Sequence, residues 1–174
     1  MAATDGELLF RVDAEDRVLG SCRRGDAHRL GLRHRAVHIL VFDRAGRVLL
    51  QKRAHCKDIN PGLWDTAAAG HVDYGESYRD CALRELGEEL CITAAPEPEP
   101  QFKIPATTQT GWEFVQVYAV VWDGAIQPLA GEIDEIRWFD AAAIDRLVTE
   151  GRFPLTSSFT VIWKTFRTSA GSKK

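Results

Sequence analysis

The pattern of apolar and polar positions divides the chain into strands and helices. Short β-branched or aromatic runs bounded by turn residues predict strands, and apolar residues spaced three and four apart predict helices. Because these elements do not alternate strictly, we predict an α/β fold in which a mixed β-sheet lies between helices. Strands are predicted over 7–13, 17–24, 36–42, 47–53, 113–122 and 135–140, and helices over 77–90, 141–151 and 157–168, with a helical turn leading into a loop at 25–34.

Two proline-containing segments interrupt this pattern. Asn60-Pro61-Gly62 predicts that 55–70 is mostly loop. The prolines of 93–101 predict an ordered loop or a sheet edge. The 174 residues suit a single domain. We expect residues 1–34 to form an N-terminal strand extension and residues 169–174 to be a frayed tail.

Charge and composition exclude several classes of protein. The net charge of −3 argues against general electrostatic binding to a nucleic acid polymer or an anionic membrane. No long apolar run or basic leader is present, so we expect no membrane span and no signal peptide. The four cysteines form no C-x-x-C pair, which predicts neither a zinc site nor a disulfide framework and fits a reducing cytoplasm.

The predicted helix at 77–90 carries an unusual concentration of acidic residues. Glu85, Glu88 and Glu89 share one helical face, where like charges repel. A solvated acidic face is the simplest interpretation, but Mg²⁺ with a substrate polyphosphate also suits such carboxylates. Arg84 can hold a carboxylate through a forked hydrogen bond. Gly70, in the preceding loop, allows the backbone to approach a ligand closely.

The spacing of these residues extends beyond the helix. Five residues separate Gly70 from Glu76, and seven more lead to the segment 84–92, which reads Arg-Glu-Leu-Gly-Glu-Glu-Leu-Cys-Ile. This resembles the Nudix box, a glycine and a glutamate followed by R-E-U-x-E-E-x-G-U, where U is apolar. One position departs, because Cys91 replaces the late glycine that usually ends the helix in a left-handed conformation.

The resemblance extends over about residues 35–150 and implies a Nudix α/β/α sandwich. Members mostly hydrolyse a diphosphate linked to another group, often a nucleoside diphosphate, with Mg²⁺ or Mn²⁺. By position, Glu85 and Glu89 would be the principal metal ligands, Glu88 would complete the cluster and the Gly70 carbonyl would contribute. Arg84 would orient Glu85 or Glu88. A bound water would attack phosphorus.

The general base is not fixed by the resemblance. A box glutamate or a loop acid fills this role in different members. Glu132 and Glu135 lie just before the predicted closing strand and are the loop candidates. Either is equally consistent with a solvated acidic turn.

The N-terminal third and the segment 57–65 resemble the branch that includes isopentenyl-diphosphate isomerase. His71 and Glu113 stand where that branch has metal ligands, as do His28 and His34. The isomerase cysteine is replaced by Ala69, and a second acid is replaced by Gly111. The histidines therefore have three interpretations, namely scaffold, a second metal site and substrate contacts.

Other candidate contacts remain open. Trp64 and Trp112 suit either a substrate pocket or the core, and the cysteines Cys81 and Cys91 are predicted to be small buried hydrophobes. Four cations are possible phosphate contacts or ordinary surface charges: Lys52, Arg53, Lys57 and Lys103. We expect a small-molecule diphosphate substrate and a monomer or homodimer. The alternatives to hydrolysis are isomerisation and a non-catalytic ligand-sensing module, but such modules usually lose box glutamates that this chain keeps.

Overall fold

The computed structural model describes residues 6–171 and contains nine strands and four α-helices in that range. The strands are β1 Leu8–Val12, β2 Val18–Arg23, β3 His34–Phe42, β4 Val48–Arg53, β5 Trp64–Thr66, β6 Ala68–His71, β7 Glu99–Ile104, β8 Glu113–Val121 and β9 Ile133–Phe139. The helices are α1 Arg24–Leu30, α2 Tyr78–Leu90, α3 Ala141–Glu150 and α4 Ser157–Gly171, and Thr108–Thr110 form a 3₁₀ turn.

The main sheet contains seven strands and is mixed, as predicted. Its central order is β5-β4-β3-β8-β7, with β6 also paired to β3 and β9 to β4. Strands β3 and β8 run parallel over nine residue pairs, and the other pairs are antiparallel. The partner of β3 on one edge changes along its length, from β6 at residues 36–39 to β4 at residues 41–42.

The alternation of side chains along β3 builds the layers. Val37, Ile39 and Val41 pack in one apolar cluster with the inner face of α2. Leu40 lies in a cluster on the opposite face with Ile162 of α4. The α/β/α sandwich is therefore confirmed, with α2 on one side of the sheet and α4 on the other.

The N-terminal extension forms a separate hairpin, β1–β2, that runs directly into α1. It is joined to the main domain through the loop before α2, where the Tyr74 amide donates to the Leu8 carbonyl at 2.8 Å. Helix α1 ends at Gly31, whose left-handed conformation turns the chain towards β3. This path brings α1 to the amino end of β3.

Two segments differ from the sequence-based predictions, whereas the segment 93–101 reaches a sheet edge as predicted. The predicted loop 55–70 contains β5 and most of β6, because its alanine-rich end pairs with β3 although it lacks a β-branched pattern. The segment 93–101 supplies the start of the edge strand β7, where Pro100 is tolerated.

The predicted tail is also wrong in part. Helix α4 continues to Gly171, since no residue breaks it earlier and the Thr168 hydroxyl donates to the Lys164 carbonyl. Residues 172–174, like residues 1–5, lie outside the described part of the chain. Within residues 6–171, no helix has the length and apolar character needed to cross a bilayer.

Candidate active site

Both ends of α2 follow local sequence signals. Ser77 is the N-cap, as predicted, and its hydroxyl accepts the Asp80 amide at 3.1 Å. At the other end Cys91 adopts a left-handed conformation with φ 55°, and its amide donates to the Gly87 carbonyl at 3.1 Å. Cys81 is buried as predicted, but Cys91 is exposed, because the chain turns outward at this cap. The cap geometry of the missing glycine is thus kept without a glycine.

Arg84 is the centre of the hydrogen-bond network at the box. Its guanidinium donates to both oxygens of Glu76 at 2.9 and 3.0 Å and to the His71 carbonyl at 3.0 Å. It also donates to Glu85 at 2.7 Å and to Glu88 at 3.2 Å. This single cation therefore fixes the loop before α2 against two acidic residues of the helix.

Gly70 is required by close packing against Glu85. A Cβ atom at Gly70 would lie 1.8 Å from Oε1 of Glu85, so any side chain there would displace this carboxylate. The absence of a side chain lets the carboxylate lie directly on the β6 backbone.

Glu85 and Glu89 are buried carboxylates with elevated proton affinity. Glu89 accepts the Ala69 amide at 3.1 Å and the Gln51 side-chain amide at 3.0 Å. Burial raises the pKa of Glu89 to about 7. Burial, and then the nearby charge of Glu89, raises the pKa of Glu85 to about 8. Glu88 is more exposed. We call Gly70, Arg84, Glu85, Glu88 and Glu89 the box centre.

A second group of titratable residues forms where α1, β3, β6 and β8 meet. We call it the histidine cluster, and it comprises His28, His34, His71 and Glu113. One donor atom from each residue lies within 4.8 Å of the others. Glu113 accepts from Nε2 of His71 at 3.2 Å and lies 3.6 Å from Nε2 of His34. Among residues 6–171, no other three or more His, Cys, Asp or Glu side chains converge so closely.

The histidine cluster contains buried nitrogens with no hydrogen-bond partner. Nδ1 of His34 donates to the Leu32 carbonyl at 2.8 Å, which leaves the lone pair on its Nε2. Nε2 of His34 and Nε2 of His28 are buried without a partner in the described chain. Burial, with the neighbouring His71 and His34, lowers the pKa of His28 to about 4. Although burial opposes it, the hydrogen bond from Nε2 of His71 holds the pKa of Glu113 well below its usual range.

These properties fit a bound divalent cation. Neutral imidazoles and an ionised carboxylate are the ligands that transition metals prefer. A bound ion would also supply the partner that the two orphaned nitrogens lack.

One cleft of about 650 Å³ joins the box centre and the histidine cluster. Besides Arg84, the cations Arg24, Arg53 and Lys57 line it next to the acidic residues. Arg24 donates to Asp58 at 2.8 and 3.2 Å, and Lys57 forms an ion pair with Glu132. The cleft therefore offers both carboxylates and cations to a ligand that carries phosphate and metal.

Comparison with known proteins agrees with this geometry. The NUDIX domain family model matches residues 32–159. The chain belongs to the Nudix family. An uncharacterized Nudix hydrolase of Streptomyces coelicolor is 41% identical over 141 residues, which cover 79% of this chain and 75% of that protein. An isopentenyl-diphosphate Delta-isomerase of Burkholderia multivorans is 37% identical over 141 residues, covering 79% and 80%.

A solved structure supports the Nudix fold. The crystal structure of a Deinococcus radiodurans protein superimposes with a TM-score of 0.81 at 22% identity. The match covers 92% of this chain and 99% of that chain, so it includes most of the N-terminal extension.

The Nudix cleft contains most, but not all, of the residues that the sequence singled out. It is lined by Glu132 but not by Glu135, which lies on β9 and forms an ion pair with Arg137. Trp64 is buried in the core against Phe139 and Phe153, a position that favours a packing role.

Two of the remaining sequence candidates line the cleft and three do not. Trp112 follows Gly111 with φ 66°, and the Arg33 guanidinium lies 5.5 Å from its ring centre. Arg53 and Lys57 line the cleft, whereas Lys103 donates to Asp16 at 2.7 Å. Lys52 is paired with Glu135 in the β4–β9 register.

Sequence reasoning missed three polar residues of the Nudix site, His38, Asp65 and Gln51. Gln51 binds Glu89, and His38 and Asp65 both line the cleft. The signal was present in the sequence, because His38 interrupts the otherwise apolar run of β3. A polar residue inside such a run needs a partner, and its partner is supplied by β5.

Proposed function

We propose that this Nudix protein is a divalent-metal-dependent hydrolase that cleaves a diphosphate linkage by water attack. The substrate class is a nucleoside diphosphate derivative or a similar small molecule, and the metal is Mg²⁺ or Mn²⁺. The observation that carries the proposal is the pair of buried carboxylates, Glu85 and Glu89, held beside Gly70 in a cleft that also contains cations.

The residues of the box centre have separate roles in this reaction. Glu85, Glu89 and Glu88 would hold the metal together with the Gly70 carbonyl, and Arg84 keeps two of these carboxylates in position. A bound divalent ion supplies neutralisation of phosphate charge and a water of lowered pKa. The pKa values of Glu85 and Glu89 are raised to about 8 and about 7 in the metal-free chain, so metal binding near neutral pH competes with protons at these carboxylates.

The cations of the cleft position the substrate. Arg53 and Lys57 reach the cleft from β4 and the following loop, and Arg24 reaches it from α1. Such groups bind phosphate oxygens and offset their charge. Glu132 is the loop candidate for the general base, and its ion pair with Lys57 holds it at the cleft.

The test is a substrate panel with Mg²⁺ followed by ³¹P NMR. The panel contains nucleoside di- and triphosphates, dinucleoside polyphosphates, nucleotide sugars and isopentenyl diphosphate. We expect release of phosphate or a nucleoside monophosphate, and we expect Glu89→Gln to lower the rate at least about 10²-fold. Glu97→Gln is the matched control, because Glu97 is an exposed carboxylate paired with Arg79. Unchanged Mg²⁺-dependent turnover in Glu89→Gln would overturn the assignment of the metal ligands.

A second function is favoured by the histidine cluster, which resembles the metal site of the isomerase branch. Ala69 offers no thiol where that branch has its cysteine, and Gly111 offers no carboxylate. We therefore place isomerisation second. Conversion of isopentenyl diphosphate to its double-bond isomer by the wild type would reverse this order. Mg²⁺ binding without turnover of any panel member would instead favour the ligand-sensing module.

We further propose that the protein acts in the cytoplasm, as a monomer or a homodimer, on a free small molecule. The cysteines support the compartment, since the described chain holds all four as free thiols. Size-exclusion chromatography with light scattering distinguishes the two oligomeric states.

A further inference from the structure

His38 is a buried histidine in the wall of the cleft that the mechanism above does not use. It lies in the middle of β3, and its side chain is 6% exposed. In the β3–β6 register it stands directly opposite Ala69, so the two side chains share one face of the sheet. The Ala69 amide in turn binds Glu89. His38 is therefore one strand away from a carboxylate of the box centre.

The hydrogen bonds around His38 fix its ring and its tautomer. Nδ1 of His38 lies 2.7 Å from the Thr66 hydroxyl oxygen and 3.5 Å from a carboxylate oxygen of Asp65. The Thr66 hydroxyl donates its own hydrogen to the Ala68 carbonyl at 3.2 Å. Its oxygen must therefore accept the hydrogen on Nδ1 of His38. Asp65 is held in place by the Thr66 amide at 2.8 Å.

This arrangement leaves the second ring nitrogen free. Nε2 of His38 has no hydrogen-bond partner among residues 6–171. Nε2 of His38, unlike Nε2 of His28 and of His34, is not among the fully buried atoms without a partner, and the side chain of His38 lines the cleft. A largely buried polar atom without a protein partner is unfavourable unless a ligand or water binds it.

The charge around His38 favours a donor at Nε2. Burial alone would lower the pKa of His38, but the negative charge of Asp65 has the larger effect and raises this pKa. Glu113 adds a smaller upward effect, and Arg53 acts in the opposite direction. Asp65 is itself buried, and its carboxylate oxygen 3.5 Å from Nδ1 favours the imidazolium form. In that form Nε2 carries a hydrogen in a cleft where phosphate oxygens are expected.

We propose that His38 is a catalytic residue whose Nε2–H donates a hydrogen bond to the leaving oxygen of the substrate diphosphate. That oxygen gains negative charge as its bond to phosphorus breaks, and a preoriented donor in a low-dielectric site stabilises it. Asp65 is a positioning residue, because it acts only through the ring of His38. This inference rests on the proposed hydrolase function and assigns a group that the box does not contain.

Kinetics of matched variants test the inference. His38→Gln removes the cationic donor, and we expect kcat to fall about 10²-fold with KM changed less than about threefold. Asp65→Asn keeps the ring of His38 but weakens its orientation, so we expect a loss of about tenfold in kcat. The control is His55→Gln, since His55 is an exposed histidine that also binds an aspartate, Asp134. Unchanged kcat in His38→Gln with intact wild-type turnover would overturn the inference while leaving the hydrolase proposal standing.

A spectroscopic measurement on the wild type covers the case in which the variants fail to fold. Protein labelled with ¹⁵N-histidine is titrated with inorganic phosphate, the leaving group that carries this oxygen, and Mg²⁺, while ³¹P signals report binding. We expect the Nε2 signal of His38 to shift on binding and the signals of His55 to stay in place. Binding of phosphate with no change at Nε2 of His38 would overturn the contact. Absence of turnover for the whole panel would instead overturn the proposed function, and the Nε2 signal would still decide the contact.

Discussion

The box centre and the histidine cluster are two groups of titratable residues at one cleft, but they are built differently. The box centre comes from one continuous segment, 70–89, in which the glycine, the arginine and the glutamates have fixed spacing. The histidine cluster takes its four residues from α1, β3, β6 and β8, which only the folded sheet brings together. The first is therefore visible as a local sequence pattern, and the second depends on topology.

The two sites also differ in electrostatics. At the box centre burial raises the pKa of Glu85 and Glu89, so these carboxylates resist ionisation. In the histidine cluster the pKa of Glu113 is lowered and that of His28 falls to about 4. The first site holds protons that a cation must displace, whereas the second already presents a carboxylate and a deprotonated imidazole.

The strongest way to break the box centre alone is to fill the space at Gly70. In Gly70→Ala the new Cβ would lie 1.8 Å from Glu85, so the carboxylate must leave its position. We expect hydrolysis to fall at least about 10²-fold and stability to fall by about 1–3 kcal/mol. Gly6→Ala is the control, because a Cβ there meets nothing within 4 Å. Steady-state kinetics and thermal unfolding measure both effects, and full activity in Gly70→Ala would contradict the packing described here.

The histidine cluster is broken by removing one of its orphaned nitrogens. His34→Gln takes away a buried imidazole whose lone pair faces the cluster. We expect the affinity for Co²⁺, followed by its visible absorption spectrum, to fall at least about 10–100-fold. This is the range found when a residue that only hydrogen-bonds a metal ligand is removed, so the loss of a ligand itself should reach it.

Two controls separate the histidine cluster from other metal-binding groups. His55→Gln removes an exposed histidine outside the cluster and should not change Co²⁺ affinity. Glu89→Gln should leave the spectrum of cluster-bound Co²⁺ unchanged, because Glu89 belongs to the other site. Equal loss of this spectrum in Glu89→Gln would mean that the two centres form a single site.

The opposite pKa shifts predict opposite effects of pH on stability in the metal-free protein. The pKa values of Glu85 and Glu89 are raised to about 8 and about 7, so the folded chain keeps protons that the unfolded chain releases above pH 4.5. Their contribution to folding stability therefore weakens as the pH rises from about 4.5 to 8. The pKa of His28 is lowered to about 4, so His28 binds a proton more readily in the unfolded chain. Its contribution to folding stability is therefore lost as the pH falls from 6.5 to about 4.

Variants show which site causes each of these two effects of pH on stability. In the presence of a metal chelator, we expect Glu89→Gln to raise Tm by roughly a few degrees at pH 8, where the wild type must bury an ionised carboxylate. At pH 4 the same substitution should leave Tm unchanged. His28→Gln should reduce the pH dependence of Tm only between pH 6.5 and 4. Thermal unfolding from pH 4 to 9 measures both, and a Glu89→Gln curve parallel to that of the wild type would show that Glu89 has an ordinary proton affinity.

The same contrast explains how much of the molecule the sequence predicted. The helix from Ser77 to Leu90 and its cap were predictable, because periodicity and capping act within a few residues. The mixed sheet and sandwich were also predicted. Strand β6 was not, because its alanine-rich sequence has no strand pattern and only its pairing with β3 makes it a strand.

The contact of His38 with Asp65 illustrates the limit more sharply. The two residues are separated by a hairpin and a loop, and their contact depends on how β5 and β6 are arranged beside β3. A polar residue in an apolar strand indicates that a partner exists, but no local spacing identifies it. The box was predictable because its residues lie on one helix and on the strand and loop that directly precede that helix.

The smallest expected effect concerns the one box position that departs from the family pattern. Cys91 ends α2 with φ 55°, a conformation that is unfavourable for residues with a Cβ by about 1–2 kcal/mol. Cys91→Gly removes this cost, but part of the gain in stability is offset by the greater freedom of glycine in the unfolded chain. We therefore expect the free energy of unfolding in urea to rise by about 0.5–1 kcal/mol. Cys91→Ala keeps the Cβ and should give no such gain. Equal stabilisation by alanine would trace the effect to the exposed thiol rather than to the backbone. Activity should be unchanged in both variants, because Cys91 shapes the end of the helix and not the cleft, whereas Gly70 controls the position of a carboxylate.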